Sequence, residues 1–549
     1  KGKSVIETYH HTVPHHRLEF DPKLSLLPKG EKPGLDGNLI IEGDNLLALK
    51  ALLPTHAGKV KCIYIDPPYN TGNEGWVYND NLTQPQFKEW IGQTVGKEGE
   101  DATRHDKWCC MMYPRLMLLH ELMHADEGLI FISVDDNEAH HLCQMMNEVC
   151  GEENWMATLM RRAMHTVRNS SKDFNLNGDY VVVYAKNKAW FGASKERYIR
   201  QPVDKSGDYP RDDNDDRGPY KLDPIHARNY YKPYVHTFNN SVAWEAPAGS
   251  YPRYSPETLQ EMDDAGEIVF TGAEPKAKRY LADVQEGRPP DAYLDPELVG
   301  FNSYGTTLLR RMLGGGVFAQ PKPVELIQHV LTLVRDKSAI ILDSFAGSGT
   351  TTHAVMEQNA IDGGSRRCIV IQQQWETIEQ RDKMDNICRD ITRKRIETAI
   401  KGYSYTERGK KVKVEGLGGS FTYARVGEPL FGEYKNFGEK LPDWQTIARY
   451  IFYTETSREC DPKMLKEKTG FIGATEAAGG TSYYLFYSPH DKENQRVSLR
   501  TLPAMVEMDK NKNLVVYAER IWLHPDELAK FEAEHRRKIR TMVVPFGVK

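Results

Sequence analysis

The residues with the plainest chemical purpose are Asp66-Pro67-Pro68-Tyr69. They close an apolar run, Val60 to Ile65, that reads as a short buried strand. The two prolines fix φ, remove two N–H donors and hold Asp66 extended. The result is a stiff platform at the carboxyl end of a strand, where α/β sheets place their ligands. The Asp66 carboxylate and the Pro67 carbonyl are two acceptors that suit one amino group, and the Tyr69 ring can stack on a flat heterocycle. That combination fits the exocyclic amine of an extruded base. A strand-ending turn with Asp as its cap is the plainer alternative.

A second stretch carries complementary chemistry. Ile340-Ile341-Leu342-Asp343-Ser344-Phe345-Ala346-Gly347-Ser348-Gly349-Thr350 reads as strand, glycine loop and helix start. Glycines let backbone approach a ligand, and free N–H groups at the helix start suit an anionic group. The third glycine of the dinucleotide fingerprint is missing, as is the Gly-Lys-Ser/Thr of a phosphate loop. The carboxylate of an amino-acid-like ligand fits as well as a phosphate. The next strand, Arg367 to Ile371, is followed by Glu376, an acid placed to meet ribose hydroxyls.

Other clusters have weaker claims. His10, His11, His15 and His16 fit no compact metal site and read as part of a solvated arm. Asp135-Asp136-Asn137-Glu138 is sequential rather than convergent, which predicts a cap for the helix Ala139 to Cys150. No metal site is expected. Arg161, Arg162, Arg168 and Lys172 form a candidate phosphate-facing patch. Lys276, Lys278 and Arg279 alternate with aromatics such as Trp244 and Tyr254, the residue types of groove readout and base stacking. A charged face is read on a helix Thr377 to Lys401, which includes Arg389, Arg393, Lys394 and Arg395.

These elements must be positioned by a chain of 549 residues, long enough for about three domains. Net charge is −5, so nucleic-acid contact needs a local basic face. The 8 cysteines show no Cys-x-x-Cys, which predicts free thiols in a reducing compartment. No run approaches a membrane span of roughly 20 apolar residues, and no signal peptide is read. The first residue is Lys1 rather than Met, which suggests a trimmed or processed chain. Strands are expected at Asn38–Glu42, 128–134, 180–186, 483–487 and 514–517, and helices at 46–53, 108–123, 324–334 and 525–540. Between about 190 and 300 the texture becomes rich in Pro, Gly, Tyr and Asp, as in an inserted irregular or β-rich domain.

Taken together, the Asp66 motif, the glycine loop and Phe318-Ala319-Gln320-Pro321-Lys322-Pro323 resemble the amino-methyltransferases of DNA. The order is permuted, with the catalytic motif before the cofactor loop. The likeness is strongest to modification subunits of type III restriction-modification systems, through Asn38–Lys50, Asp66–Asn73, Met111–Leu116, Ile130–Glu138 and Asp179–Asn187. It implies an α/β, Rossmann-like methyltransferase sheet with an inserted target-recognition domain and a C-terminal α+β domain. The expected boundaries are an arm at 1–35, a catalytic part at 36–190, a recognition domain at 191–300, a cofactor-binding part at 301–400 and a dimerisation or docking domain at 401–549. The implied cofactor is S-adenosylmethionine, held by Asp44, Lys322, Asp343, Phe345, Gly347, Gly349, Thr350 and Glu376. After Ile371 the family usually presents a short acid-containing turn; here the chain reads Gln372-Gln373-Gln374-Trp375-Glu376.

The resemblance further implies adenine N6 as target, since Asp at the first catalytic position usually accompanies adenine and Ser accompanies cytosine N4. Implied partners are double-stranded DNA, a second copy of the chain and a restriction or other defence subunit, in a bacterial or archaeal cytoplasm. Two acceptors on the amino group turn its lone pair toward the methyl donor, so positioning and electrostatics suffice and no metal is required. The competing readings are a recognition subunit that recruits a nuclease, a cytosine-N4 or RNA methyltransferase, and a dinucleotide oxidoreductase.

Overall fold

A computed structural model describes residues 10–71, 102–165, 174–201, 207–228, 232–282, 288–375, 383, 386–431, 441–475, 480–488, 496–505 and 513–544, apart from Thr12, Asn175, Asp208, Leu499 and Ala504. Ten strands form one sheet. In chain order they are β1 (His16–Phe20), β2 (Asn38–Glu42), β3 (Val60–Ile65), β4 (Leu129–Val134), β5 (Trp155–Arg162), β6 (Gly178–Ala185), β7 (Tyr293–Leu294), β8 (Ile340–Asp343), β9 (Arg367–Gln372) and β10 (Phe421–Pro429). Their order across the sheet is β1-β10-β2-β9-β8-β3-β4-β6-β5-β7.

The run from β10 to β4 is parallel, and β6 is antiparallel to both β4 and β5. Parallel strands are covered on both faces, so they read as unbroken apolar runs. Val60–Ile65 and Leu129–Val134 are such runs, and β4 and β8 are buried at every residue. The covering helices are α1 (Asn45–His56), α2 (Ala102–Leu122), α3 (Ala139–Cys150), α4 (Asn302–Leu313), α5 (Val324–Leu333), α6 (Thr350–Asp362) and α7 (Arg393–Lys401). From β8 the chain moves to β9 on one side, and from β3 it moves to β4 on the other. The point where a doubly wound sheet reverses is where its ligands bind. Here it falls between β8 and β3.

Residues Ile199–Pro290 separate as a compact unit of their own. This unit has a three-stranded sheet of Tyr220–Pro224, Glu274–Tyr280 and Ile268–Thr271, and a helix Pro256–Asp264. Its core is Ile225, Phe238, Trp244, Leu259 and Ala277. Trp244, expected as a stacking residue, is consumed by that core.

Toward the C-terminus, Phe471–Thr475, Thr481–Phe486, Asn513–Ala518 and Lys538–Val543 form a four-stranded sheet with its own apolar clusters. The helix expected to reach residue 540 ends at His535. Arg536 turns to φ 51°, and Lys538–Val543 then pairs with Asn513–Ala518. Of the helix expected over 377–401, residues 387–401 are helical, with a π-turn at Cys388–Thr392 leading into α7, while 377–382, 384 and 385 lie outside the described residues. All eight cysteines are free thiols.

Candidate active site

β3 delivers Asp66, and the turn after it is fastened from several directions. Trp108, wholly buried on α2, donates its indole N–H to the Pro68 carbonyl at 2.7 Å. Asn70 takes φ 57°, a conformation Asn tolerates, and its buried amide donates to Glu138 Oε1 and to the Arg104 carbonyl. The two prolines and these anchors fix the backbone of the turn that follows β3.

A chain of charges crosses this platform. The Lys322 ammonium lies 3.0 Å from Asp66 Oδ1 and 3.7 Å from Asp179 Oδ2, and it donates to the Tyr69 hydroxyl at 2.6 Å. It also sits 4.6 Å from the centre of the Tyr69 ring, within cation–π range. Asp179 in turn pairs with Arg161 Nη2 at 3.3 Å, and Arg161 also reaches Asn302. The Lys322 contact with Asp66 has the distance of an ion pair but not the angles of a hydrogen bond, so Asp66 Oδ1 is buried without one. An acceptor left so is set to take a hydrogen bond from an incoming N–H.

β8 delivers the glycine loop beside it. Asp343 is buried; it accepts from the Phe345 N–H at 2.9 Å and from the Thr351 hydroxyl at 2.5 Å. Burial pushes its carboxyl up to about 7, against those two hydrogen bonds, with the Asp66 charge adding to the rise. Gly347 has φ 51°, and a Cβ there would stand 3.0 Å from Phe318 Cζ. The loop is propped by side chains: Gln372 Oε1 accepts from the Gly347 N–H at 2.6 Å, and the Thr392 hydroxyl donates to the Gly347 carbonyl at 2.6 Å. Arg395 donates to Ser348 Oγ at 2.8 Å and to Thr350 Oγ1 at 2.7 Å. Arg395 is therefore no part of a solvated face: it is wholly buried, and burial lowers it to about 10.

One cleft of about 350 Å³ is lined by Asp66, Pro67, Pro68, Tyr69, Phe318, Lys322, Asp343, Phe345, Gly347 and Thr350 together. Two stretches some 270 positions apart in sequence thus share a wall. A larger cavity of about 660 Å³, walled by His15, Lys50, Glu121, Tyr450 and Tyr453, contains none of these motif residues.

Several expected residues fall elsewhere. Asp44 caps α1 through the Leu46 and Leu47 N–H groups and faces Arg115 at 3.6 Å. Lys322, expected at the glycine-loop end, has its ammonium on Asp66. Arg161 is not a phosphate-facing residue, because it is fully buried against Asp179. Arg162 is partly exposed and donates to the Met164 and His165 carbonyls. Arg168, Lys172 and Glu376 lie outside the described residues.

In the 199–290 unit, Lys276, Lys278 and Arg279 pair with Glu274, Asp213 and Asp223, and Arg279 remains the most exposed of the three. Sequence reasoning missed Glu42, a buried acid at the end of β2 that accepts from Gln374, Asn386 and Tyr423. Its signal was an acid closing an apolar strand, but its neighbour β9 lies 330 positions away in sequence.

The strand order and the cleft define a doubly wound α/β sheet with a cleft at its switch point. The model of the DNA methylase family (N6_N4_Mtase) matches residues 60–383, more than half of the chain, and the chain belongs to that family. It is 34% identical over 352 residues to the StyLTI Mod subunit, a type III restriction-modification enzyme of Salmonella typhimurium; the match takes in 61% of this chain and 52% of that protein. It is 29% identical to the EcoPI Mod subunit of Escherichia phage P1, over 76% of this chain and 68% of the relative. The chain thus spans between half and about two thirds of the length of these relatives. Among solved structures, the cytosine-N4-specific PvuII DNA methyltransferase aligns with a TM-score of 0.33 at 11% identity, over 67% of this chain and 93% of the other.

Proposed function

We propose that the chain is a site-specific DNA methyltransferase that uses S-adenosylmethionine to methylate adenine N6 in a short sequence. The observation that carries this reading is the shared cleft, with an unsatisfied Asp66 acceptor on one wall and a propped glycine loop on the other. The residues fit the cofactor. Gly347 leaves room that a Cβ would fill, and the loop beside it opens onto the start of α6. The volume lies within the range of small-ligand sites. When bound, the cofactor supplies an electrophilic methyl group.

The chain's own part is to hold the amine. Asp66 and the Pro67 carbonyl accept its two N–H bonds, and Tyr69 stacks on the base and offsets a few kcal/mol of unstacking. The Lys322 ammonium, 3.0 Å from Asp66 Oδ1, stands where the amino group must arrive. Arg161 serves that arrangement as a positioning residue by fixing Asp179.

The unit 199–290 is proposed as the target-recognition domain, with Lys276, Lys278 and Arg279 as DNA contacts. Arg162 and Arg168 are proposed as phosphate contacts from the first unit. Glu376 remains the proposed ribose-binding acid, and Asp44 is proposed on the adenine side. The 401–549 region is proposed to support a second copy or a restriction subunit. Among the described residues no helix is long and apolar enough to cross a membrane.

Modified-base sequencing of genomic DNA from cells expressing the chain alone tests the reading. N6-methyladenine confined to one short motif is the expected result. N4-methylcytosine would change the target base, and unmodified DNA from cells with soluble protein would leave recognition without transfer as the function.

A further inference from the structure

Asn70 connects the Asp66 turn to a cluster that methyl transfer does not use. His105 on α2 and His141 on α3 both turn Nδ1 to the Glu138 carboxylate, at 2.6 Å from Oε1 and 2.9 Å from Oε2. The three potential ligand atoms lie within 4.8 Å of one another, and the two rings are 4.9 Å apart between centroids. The acidic stretch 135–138 was expected to cap α3, but Glu138, which stands at the cap position, makes no side-chain cap hydrogen bond. It is fully buried, whereas each imidazole keeps an exposed edge.

A buried carboxylate is costly unless a cation balances it. The two imidazoles and the Asn70 carboxamide converge on it with hydrogen bonds. We propose that His105, Glu138 and His141 bind a first-row divalent cation of the zinc type, and that this ion fastens the Asn70 end of the Asp66 turn to α2 and α3. Two imidazole nitrogens and one carboxylate are a common zinc set, with water completing the tetrahedron from the exposed edge. Ligands about 2.0–2.1 Å from a tetrahedral ion stand about 3.3 Å apart, so each imidazole Nδ1 draws back from the carboxylate by about 0.4–0.7 Å from its present 2.9 or 2.6 Å.

On binding, each imidazole gives its Nδ1 lone pair to the ion and carries its proton on Nε2. Arg104, now 3.4 Å from His105 Nε2, then gives up that contact. The Asn70 amide becomes an outer-shell donor to Glu138, a usual device for fixing a ligand carboxylate. Nitrogen ligands favour zinc, cobalt or nickel over magnesium or calcium. The proposed ion has no part in the methyl-transfer step, and the proposal does not rest on that activity.

The test uses the full chain, stripped with a chelator and titrated with zinc by calorimetry and with cobalt by visible absorption. His105→Gln and His141→Gln are the comparison variants, with circular dichroism confirming their folds. The expected result is one zinc equivalent in the wild type, tetrahedral cobalt bands, and a rise in melting temperature with zinc. Both variants are expected to lose more than about 100-fold in affinity, along with the bands and the thermal shift. Equal binding by variants and wild type would place the metal elsewhere, on the histidine-rich arm for example, and overturn the assignment. Absence of binding by the wild type in excess zinc would overturn it too, leaving a hydrogen-bonded Glu138 between two imidazoles.

Discussion

β3 and β8 are hydrogen-bonded neighbours, and each leads to an aspartate: Asp66 just after β3, Asp343 at the end of β8. The two carboxylates meet opposite fates. Asp66 is about a quarter exposed, faces a lysine ammonium and keeps an oxygen without a hydrogen bond. Asp343 is buried, takes a backbone N–H and a threonine hydroxyl, and has its carboxyl raised to about 7. One is presented to a ligand and the other braces a loop. Residue type and topological position are shared, so the difference lies in the residues just beyond each strand. Two prolines stiffen the backbone after Asp66, whereas a flexible glycine loop after Asp343 must be tied down by side chains.

The sharpest way to break this contrast is Asp66→Ala. It should lower methyl transfer by about 1000-fold while leaving calorimetric cofactor affinity nearly unchanged. Full turnover in that variant would remove Asp66 from the chemistry. Gly347→Asp acts on the other wall, because the new side chain meets Phe318 in a left-handed conformation. Cofactor affinity is expected to fall more than about tenfold, a loss of roughly 1.4 kcal/mol or more; unchanged affinity would misplace the pocket.

Lys322→Ala leaves Asp66 and Asp179 without the cation between them. Turnover should therefore fall by about tenfold or more, with calorimetric cofactor affinity nearly unchanged. Unchanged turnover would show that Lys322 has no part in presenting Asp66 and Asp179.

The smallest effect is expected from Asp343→Asn. The folded-state value of Asp343, about 7, is above the ordinary 3.8 of an unfolded aspartate. The folded protein therefore holds the extra proton between these values, and stability falls as pH rises from about 4 to 7. Thermal melting of the Asn variant should show less of that fall than the wild type; parallel curves would contradict the buried-acid reading.

The parallel strands were legible because burial on both faces writes itself as an apolar run. Val60–Ile65 and Asn38–Glu42 lie where the residues predict them. The paired motifs were legible too, since Asp-Pro-Pro-Tyr and the glycine loop are local signals. Relations between distant segments were not. Nothing near Lys322 says that it will reach across to Asp66, and nothing near Arg161 says that it will be buried against Asp179. Arg395 reads as one more charge on a helix, yet it props Ser348 and Thr350. The helix expected to reach residue 540 failed for a local reason: Arg536 reverses the chain and an edge strand takes the rest. Glu138 shows the same limit, since its sequence neighbours suggest a cap while its partners come from α2, α3 and the Asp66 turn.

The strand order also constrains how the protein can be made. β3 is synthesised early, but β8, its neighbour on one side, is encoded after residue 339. At ordinary translation speeds of roughly 5–20 residues per second, about 8–30 s pass between the emergence of β6 and that of β8. Through that interval the nascent chain carries β3 with one apolar flank uncovered, a state that invites chaperone capture or misassociation on the ribosome. Slowing translation beyond residue 186 should therefore lower soluble yield, whereas slowing it beyond residue 429, when every strand of the sheet has been made, should not.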